Sequence, residues 1–335
     1  MERQSAAKTM CGVVADGTGG PEVLRLVERP IPAPGAEQVQ VRVRAIGINR
    51  ADALQRAGRY PPPPGISDIL GLELAGEVSA VGPGVTGFSP GNRVFGLVNS
   101  GAYAEYAVVD QGLLVPMPAG WDFATAASVI ETFCTANETL FTLGGLAAGE
   151  SVLIHAGGSG VGSSGIQMAK RAGATVYVTA GSAAKLARTR EIGADAGIDY
   201  RTQDFAEEVL RLTERRGVDV VLDFIGASYL PRNLAVLRPQ GRLIIAGVMG
   251  PASHPVDTGP ILQKRLRVMG FTLRPQTIPE KRAIVARFAE RWMPLLATGA
   301  IRPIIHGVLA FAEVREAHRV MEANENFGKL VLSLP

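Results

Sequence analysis

The apolar run Ser151-Val-Leu-Ile-His-Ala156 breaks into Gly157-Gly-Ser-Gly160-Val-Gly162-Ser-Ser-Gly165 and then opens a helical pattern. Residues 160–165 read G-x-G-x-x-G, a spacing that permits a tight turn, close approach of backbone N–H groups to phosphate, and close helix–strand packing. Glycine-rich turns are common, so context decides the reading. A strand pattern precedes this one, helical spacing follows at Ile166, Met168, Ala169 and Ala172, and a second strand, Thr175-Val-Tyr-Val-Thr-Ala180, comes next. The order predicts a dinucleotide-binding βαβ unit in which Gly158, Ser159, Gly160, Val161 and Gly162 meet the cofactor. The alternative is a strand-to-helix turn of structural value only.

An NAD site places Asp or Glu at the end of the second strand, where it accepts hydrogen bonds from the ribose 2′-OH. Here the chain reads Gly181-Ser182-Ala-Ala-Lys185, small, hydroxylic and then cationic. That composition suits a 2′-phosphate and favours NADPH over NADH. Ser182 is also a natural helix N-cap, and Lys185 can be read as a solvated first-turn residue.

Strict strand–helix alternation continues over Val152 to Ala156, Val176 to Ala180, Ala196 to Tyr200, Val218 to Phe224 and Leu243 to Val248, with helical segments at Ser182 to Ile192 and Asp204 to Arg216. Such alternation implies a parallel sheet with right-handed crossovers. The stretch before it differs. From Cys11 to about Phe123 the chain is rich in glycine, proline and period-two runs, the clearest being Val39-Gln-Val-Arg-Val-Arg-Ala45, followed by strand candidates at Leu74 to Val81, Arg93 to Val98 and Ala102 to Val109. Pro61 to Pro64 forms a stiff, extended loop. After a long helix at Pro279 to Ala297 come a helix at Phe311 to Asn324 and a strand at Leu330 to Leu334, which have no place in the nucleotide-binding series and are expected to return to the first domain. The expected architecture is α/β: a mainly-β domain over 1–128 completed by 275–335, and a doubly wound parallel-sheet domain over 129–274.

A chain of 335 residues, 47% hydrophobic, is long enough for two domains with sizeable cores. Its net charge of +3 is made of dispersed basic residues, which leaves nucleic-acid binding unsupported as a main role. Two cysteines, Cys11 and Cys134, make neither a disulfide framework nor a cysteine-rich zinc site. No apolar run approaches a membrane span, and Met1 to Thr9 read as a disordered extension without an apolar leader core, so a cytoplasmic protein is expected.

Six segments in order then resemble one family: Gly19-Gly-Pro-Glu22, Gly47-Ile-Asn-Arg-Ala-Asp52, Gly58-Arg-Tyr-Pro-Pro-Pro-Pro-Gly65, Leu70-Gly-Leu-Glu-Leu-Ala-Gly76, Ala156-Gly-Gly-Ser-Gly-Val-Gly162 and Glu322-Ala-Asn-Glu-Asn-Phe-Gly-Lys329. They resemble the zinc-independent quinone oxidoreductases of the medium-chain dehydrogenase/reductase superfamily, most of all the group induced by the tumour suppressor p53, with zeta-crystallin more distant. The resemblance implies a GroES-like catalytic domain, a Rossmann domain, NADPH in the cleft, and a homodimer joined through Rossmann edge strands near Arg242 to Met249. Zinc relatives carry a ligand histidine where this chain has Leu72 and a ligand cysteine where it has Asn49. Its four histidines, His155, His254, His306 and His318, are scattered, so reduction without a metal is expected.

The resemblance also implies site residues. Asn49 and Tyr60 line the substrate mouth, and Ser159 touches the nicotinamide or the substrate; the plainer alternatives are a turn residue, a loop aromatic packed on its prolines, and a small residue that fits a tight turn. Thr135 matches a nicotinamide or phosphate contact, or is a helix threonine bonded to its own backbone. Glu131 orients the site or is an ordinary helix-end carboxylate. Tyr200 flanks adenine or the 2′-phosphate; Gly226, Gly247 and Met249 follow strand ends; Phe271 to Leu273, Asn324, Asn326 and Lys329 complete the cofactor contacts, although Met249 and Phe271 also suit a core. His155 reads as a core-facing strand residue. The expected reaction is reduction of a quinone by NADPH, with an enone reductase or a non-catalytic NADPH-binding, crystallin- or RNA-binding-like protein as alternatives.

Overall fold

The computed structural model describes residues 8–335 apart from Pro64 and Ala252. Most of the expected N-terminal extension therefore lies outside the described residues, as does the last proline of the 61–64 run; Thr9, placed in that extension, instead begins the first strand. The chain forms two compact units. One runs through Glu131 and resumes at Arg274; the other spans Thr132–Leu273.

In the first unit, β1 (Thr9–Ala15) and β2 (Leu24–Pro30) form an antiparallel pair. A larger sheet gathers β3 (Gln38–Ile48), β4 (Glu73–Val81), β5 (Arg93–Leu97), β6 (Tyr106–Asp110) and β7 (Leu114–Pro116). The period-two run of β3 does what its pattern dictates: Val39, Val41, Val43 and Ala45 are buried and Arg42 is exposed. Ala102 to Ala104 do not join β6, so that strand begins later than the sequence suggests. The chain's last strand pairs antiparallel with β3, with Leu330 opposite Ile48, so Lys329 lies directly beside the Asn49 turn.

The second unit holds β8 (Ser151–Ile154), β9 (Thr175–Ala180), β10 (Ala196–Asp199), β11 (Val218–Asp223), β12 (Leu237–Ile245) and β13 (Arg267–Gly270), all parallel, in the spatial order β10-β9-β8-β11-β12-β13. This is the doubly wound order, and strand direction of travel reverses between β8 and β11, where such sheets bind ligands. The middles of the central strands are apolar, as helices on both faces require; Val152, Leu153, Ile154, Val220, Val221 and Leu222 are all 0% exposed.

Two expectations are corrected here. The segment from Arg242 is not an outer strand: β12 pairs with β11 on one side and β13 on the other, and Ala246 to Met249 leave the sheet. On that side of the sheet the outer strand is β13, which at four mixed residues is too short to register as a strand pattern. The helix expected to run to Arg216 stops at Leu212, because Glu214 and Arg215 adopt left-handed backbone angles (φ 51° and 63°) that end it. The chain's end does return to the first unit's sheet, through β15 (Lys329–Ser333) and through β14 (Ile305–Ala310), a strand not anticipated from sequence.

Candidate functional site

In the second unit the chain leaves β8 through a tight bend with Ala156 at φ 51°. Ser159 caps the helix Gly160–Arg171: its Oγ accepts from the Gly162 N–H at 2.9 Å, which leaves its own O–H free to donate. A side chain at Gly162 would run into the Ala156 carbonyl oxygen and lie 2.8 Å from the Gly157 Cα. Glycine is thus required at 162 by close packing, and of the helix's first N–H groups those of Gly160 and Val161 are left to meet an anion. His155 is fully buried, its ring nitrogens paired with Thr179 Oγ1 at 3.0 Å and Asn233 Oδ1 at 2.8 Å, and burial pushes its pKa down to about 4. It is a neutral core residue as expected, although it lies in the turn just after β8 rather than in the strand.

Past β9, Ser182 caps the helix Ala183–Glu191, accepting from Lys185 N–H at 3.2 Å. Tyr200 follows β10 and is 43% exposed. Its hydroxyl and Arg201 Nε stand over Gly181, where an added Cβ would lie 2.5 and 3.2 Å from them. Gly181, Ser182, Tyr200 and the exposed Arg201 therefore converge at the C-terminal ends of two neighbouring strands. Arg201 was not singled out from sequence; its signal was a cation one residue past a strand end.

The remaining expected contacts fall in both units. The Asp223 carboxylate, at the end of β11, accepts from Ile225 N–H (2.7 Å) and Gly226 N–H (3.1 Å), and burial raises its pKa to about 6. This holds Gly226 at φ 87°. Gly247 packs against Phe224, Met249 is 39% exposed, and Phe271 and Leu273 are buried at 9% and 6%. The Thr135 side chain is not bonded to its own backbone; its hydroxyl has no hydrogen-bond partner among the described residues. In the first unit, Asn324 sits at φ 54° and accepts from Arg50 at 2.7 Å, while Asn326 donates to the Gly328 carbonyl at 2.8 Å.

Lys329, expected among the cofactor contacts, is turned inward and 3% exposed. Its ammonium donates to the Ile48 carbonyl (2.7 Å), Asn49 Oδ1 (2.7 Å) and Glu73 Oε1 (2.6 Å), which uses all three donors. Asn49 Nδ2 also donates to Glu73 Oε1 at 2.9 Å, and Glu73 Oε2 accepts from the Glu131 N–H at 3.0 Å. Asn49 is thus more than a turn residue, although it does cap the helix Arg50–Arg56, receiving the Asp52 carboxylate on its own N–H at 2.8 Å. Gly47 has no room for a side chain, which would strike the Ala127 carbonyl and the Glu73 carboxylate.

Behind this cluster, Tyr103 O–H donates to Asp52 Oδ2 at 3.0 Å and meets His318 Nε2 at 3.2 Å. His318 Nδ1 faces Arg56 Nη1 at 3.3 Å, and Arg56 is ion-paired with Glu322. With arginine as an obligate donor, the ring must carry its proton on Nε2; burial and Arg56 push its pKa down to about 3. Burial raises Asp52 to about 6, against the hydrogen bonds from Asn49 and Tyr103. Glu131, half-buried at the start of the helix Ile130–Asn137, is raised to about 8 by burial and then by the Glu73 charge. Tyr60 is half-buried, with the Arg274 guanidinium 5.5 Å from its ring centroid. Sequence reasoning missed Glu73, Asp52, Arg274 and Lys281, since isolated charges within apolar or loop segments read as solvated.

Among the described residues no group of three His, Cys, Asp or Glu is arranged to hold a metal ion, and no helix is long and apolar enough to cross a membrane. Residues 35–119 match the family model described as alcohol dehydrogenase GroES-like domain, and 160–290 the one described as zinc-binding dehydrogenase. The chain is 34% identical to the rat synaptic vesicle membrane protein VAT-1 homolog over 96% of its own length and 83% of that protein. It is 37% identical to a Pseudomonas aeruginosa quinone oxidoreductase over 94% of its length and 96% of the relative's. Among solved structures it resembles an Escherichia coli quinone oxidoreductase complexed with NADPH (TM-score 0.89, 30% identity, 98% of this chain and 100% of that one). It also resembles the CurK enoyl reductase (TM-score 0.87, 30% identity, 97% of this chain and 99% of that one). A GroES-like unit with buried charges at its Asn49 turn, a Rossmann unit with the glycine bend at its switch point, and these full-length likenesses make the chain a member of the medium-chain dehydrogenase/reductase superfamily, among its quinone oxidoreductase and VAT-1 relatives.

Proposed function

We propose that the protein is an NADPH-dependent quinone reductase that works without zinc. The observation that carries the reading is the Lys329 ammonium: it occupies Asn49 Oδ1 and Glu73 Oε1, the oxygens beside the position where zinc relatives hold a ligand cysteine. A cation of the protein's own already balances that carboxylate, so a second cation there would meet a satisfied and positively charged site.

The second unit fits NADPH. The close turn that Gly162 allows and the capped helix start suit a pyrophosphate, and Ser182, Tyr200 and Arg201, with Lys185 in the helix's first turn, bring hydroxyls and positive charge to the place of a 2′-phosphate. When bound, the dinucleotide supplies a hydride, and the protein's task is positioning and proton supply. In this reading Gly158 to Gly162 receive the phosphates, Thr135 offers its unused hydroxyl to the nicotinamide side, Tyr60 stacks on the acceptor, and Ser159 keeps a donor for either partner. Glu131, whose raised pKa keeps it protonated near neutrality, holds the proton that the reduced acceptor takes up. An enone accepts hydride in the same way, and the likeness to an enoyl reductase structure makes this the second reading. The fold's outer strand β13, with Val268 38% exposed, is the edge through which we expect a homodimer to form.

The test is the oxidation rate of NADPH and NADH with a panel of quinones and enones, repeated with Lys185→Ala and Arg201→Ala. Quinone turnover with NADPH preferred, and a preference eroded in both variants, is expected. Faster enone than quinone turnover would select the second reading, and failure to bind either nucleotide would overturn both.

A further inference from the structure

One side chain of the first unit has donors that no part of the reaction so far uses. Both terminal amino groups of Arg274 are buried without a hydrogen-bond partner among the described residues, on a residue that is only 5% exposed. The rest of it is fixed. Nε donates to the Asn99 carbonyl at 3.0 Å, and the guanidinium lies 5.5 Å from the centre of the Tyr60 ring. Lys281, 3% exposed, donates to the Arg274 carbonyl at 2.6 Å and to the Asn99 side chain, so the backbone beneath the guanidinium is held as well. A planar fork with one edge anchored keeps its two outer amino groups at a set spacing. Orphaned donors of a buried cation are expensive, and native folds retain them where a ligand completes them.

We propose that Arg274 is the receptor for the acceptor's oxygen, its two outer amino groups forming an oxyanion site against the Tyr60 ring. The ligand class is a conjugated carbonyl compound whose reduction leaves charge on oxygen, with phenolates as stable mimics. The identity of that oxygen rests on the reductase reading; the site itself does not. Arg274 forms no covalent bond and keeps its proton. A hydride leaving a C–H bond of the reduced dinucleotide, which is thereby oxidised, would form a C–H bond at a carbon of the conjugated system; the displaced π electrons end on the carbonyl oxygen, and the resulting O⁻ takes a proton from a carboxylic acid such as Glu131 or from water. The charged and titratable groups acting on Arg274 are Asp52, Tyr60 and Glu131, together with the Lys281 ammonium, which repels it. Of these Glu131 holds its proton near neutrality and does not cancel the guanidinium. Preorganised donors of this kind act on charge as it develops, so their loss appears in kcat more than in KM.

The experiment uses 4-nitrophenol, whose phenolate has its own absorption band, titrated with pH in the presence of the full-length protein and without turnover. Wild type should bind the phenolate at least about tenfold more tightly than Arg274→Gln does, and the bound phenol should ionise at lower pH. Arg274→Lys should recover only part of the preference, having the charge without the fork. In steady-state reduction, Arg274→Gln should lose about 100-fold in kcat with KM little changed. Should the variants not fold, wild type alone decides: equal affinity for 4-nitrophenolate and for 4-nitroanisole, which cannot ionise, overturns the proposal. Full turnover in Arg274→Gln would also overturn it while leaving the reductase reading intact. Phenolate preference without any quinone or enone turnover would keep the site and remove that reading.

Discussion

Charges buried around Asn49 are balanced one by one, and Glu131 is the member that stands apart. Lys329 neutralises Glu73, and Asp52 has Tyr103 and the Asn49 N–H, but the Glu131 carboxyl has no hydrogen bond to a described residue and lies near Glu73. Its pKa is raised from an ordinary 4.5 to about 8, so between those values the folded protein holds a proton that the unfolded chain has released. Stability must therefore fall as pH rises through this window. Urea unfolding at several pH values should show the fall in wild type and a flatter profile in Glu131→Gln. An identical slope in the variant would remove the shifted carboxyl from the account. The two buried histidines act at the acid end. Their pKa values lie at about 4 and about 3, below the ordinary 6.5, so stability drops as pH falls below 6.5 and the unfolded chain gains protons that the fold excludes.

At the level of elements, the glycine bend and its helix behave as one part. Ser159 satisfies an N–H of the first turn, Gly162 lets that turn approach Ala156 and Gly157, and Ser163 and Ser164 return hydrogen bonds to the Gly160 carbonyl at 3.0 and 2.7 Å. Replacing Gly162 with alanine forces the helix start away from the strand end. NADPH affinity, read by quenching of protein fluorescence, should weaken about tenfold or more, roughly 1.4 kcal/mol. Retained affinity would mean that the phosphates bind elsewhere. The βαβ element was legible because glycine spacing, strand and helix periods all agree locally. Helix ends were less so. The stop after Leu212 depends on left-handed backbone at Glu214 and Arg215, residues whose side chains carry no such preference.

For the molecule as a whole, the consequence of the observed strand order is that β13 alone offers the outer side of the Rossmann sheet next to β12. It is four residues long, with Val268 38% exposed, and such an edge pairs with another strand unless something blunts it. Sedimentation velocity should show a dimer in wild type and a shift toward monomer in Val268→Lys. An unchanged dimer would place the interface on another surface. The same scale explains why the first unit's cluster escaped sequence reading. Glu73 and Lys329 are 256 residues apart in the chain and meet at 2.6 Å only because β15 returns to lie against β3.

The sequence by itself determined the α/β class, the period-two sheet, the glycine bend with its context and the missing carboxylate after the second strand, because each is a local pattern of a few residues whose physics is complete within them. The pairing of Lys329 with Glu73, the orphaned donors of Arg274, the raised carboxyl of Glu131 and the choice of β13 as outer strand were decided only by tertiary structure. Burial and charge neutralisation depend on which distant segments share a volume, and a linear chain does not specify that until the sheets close.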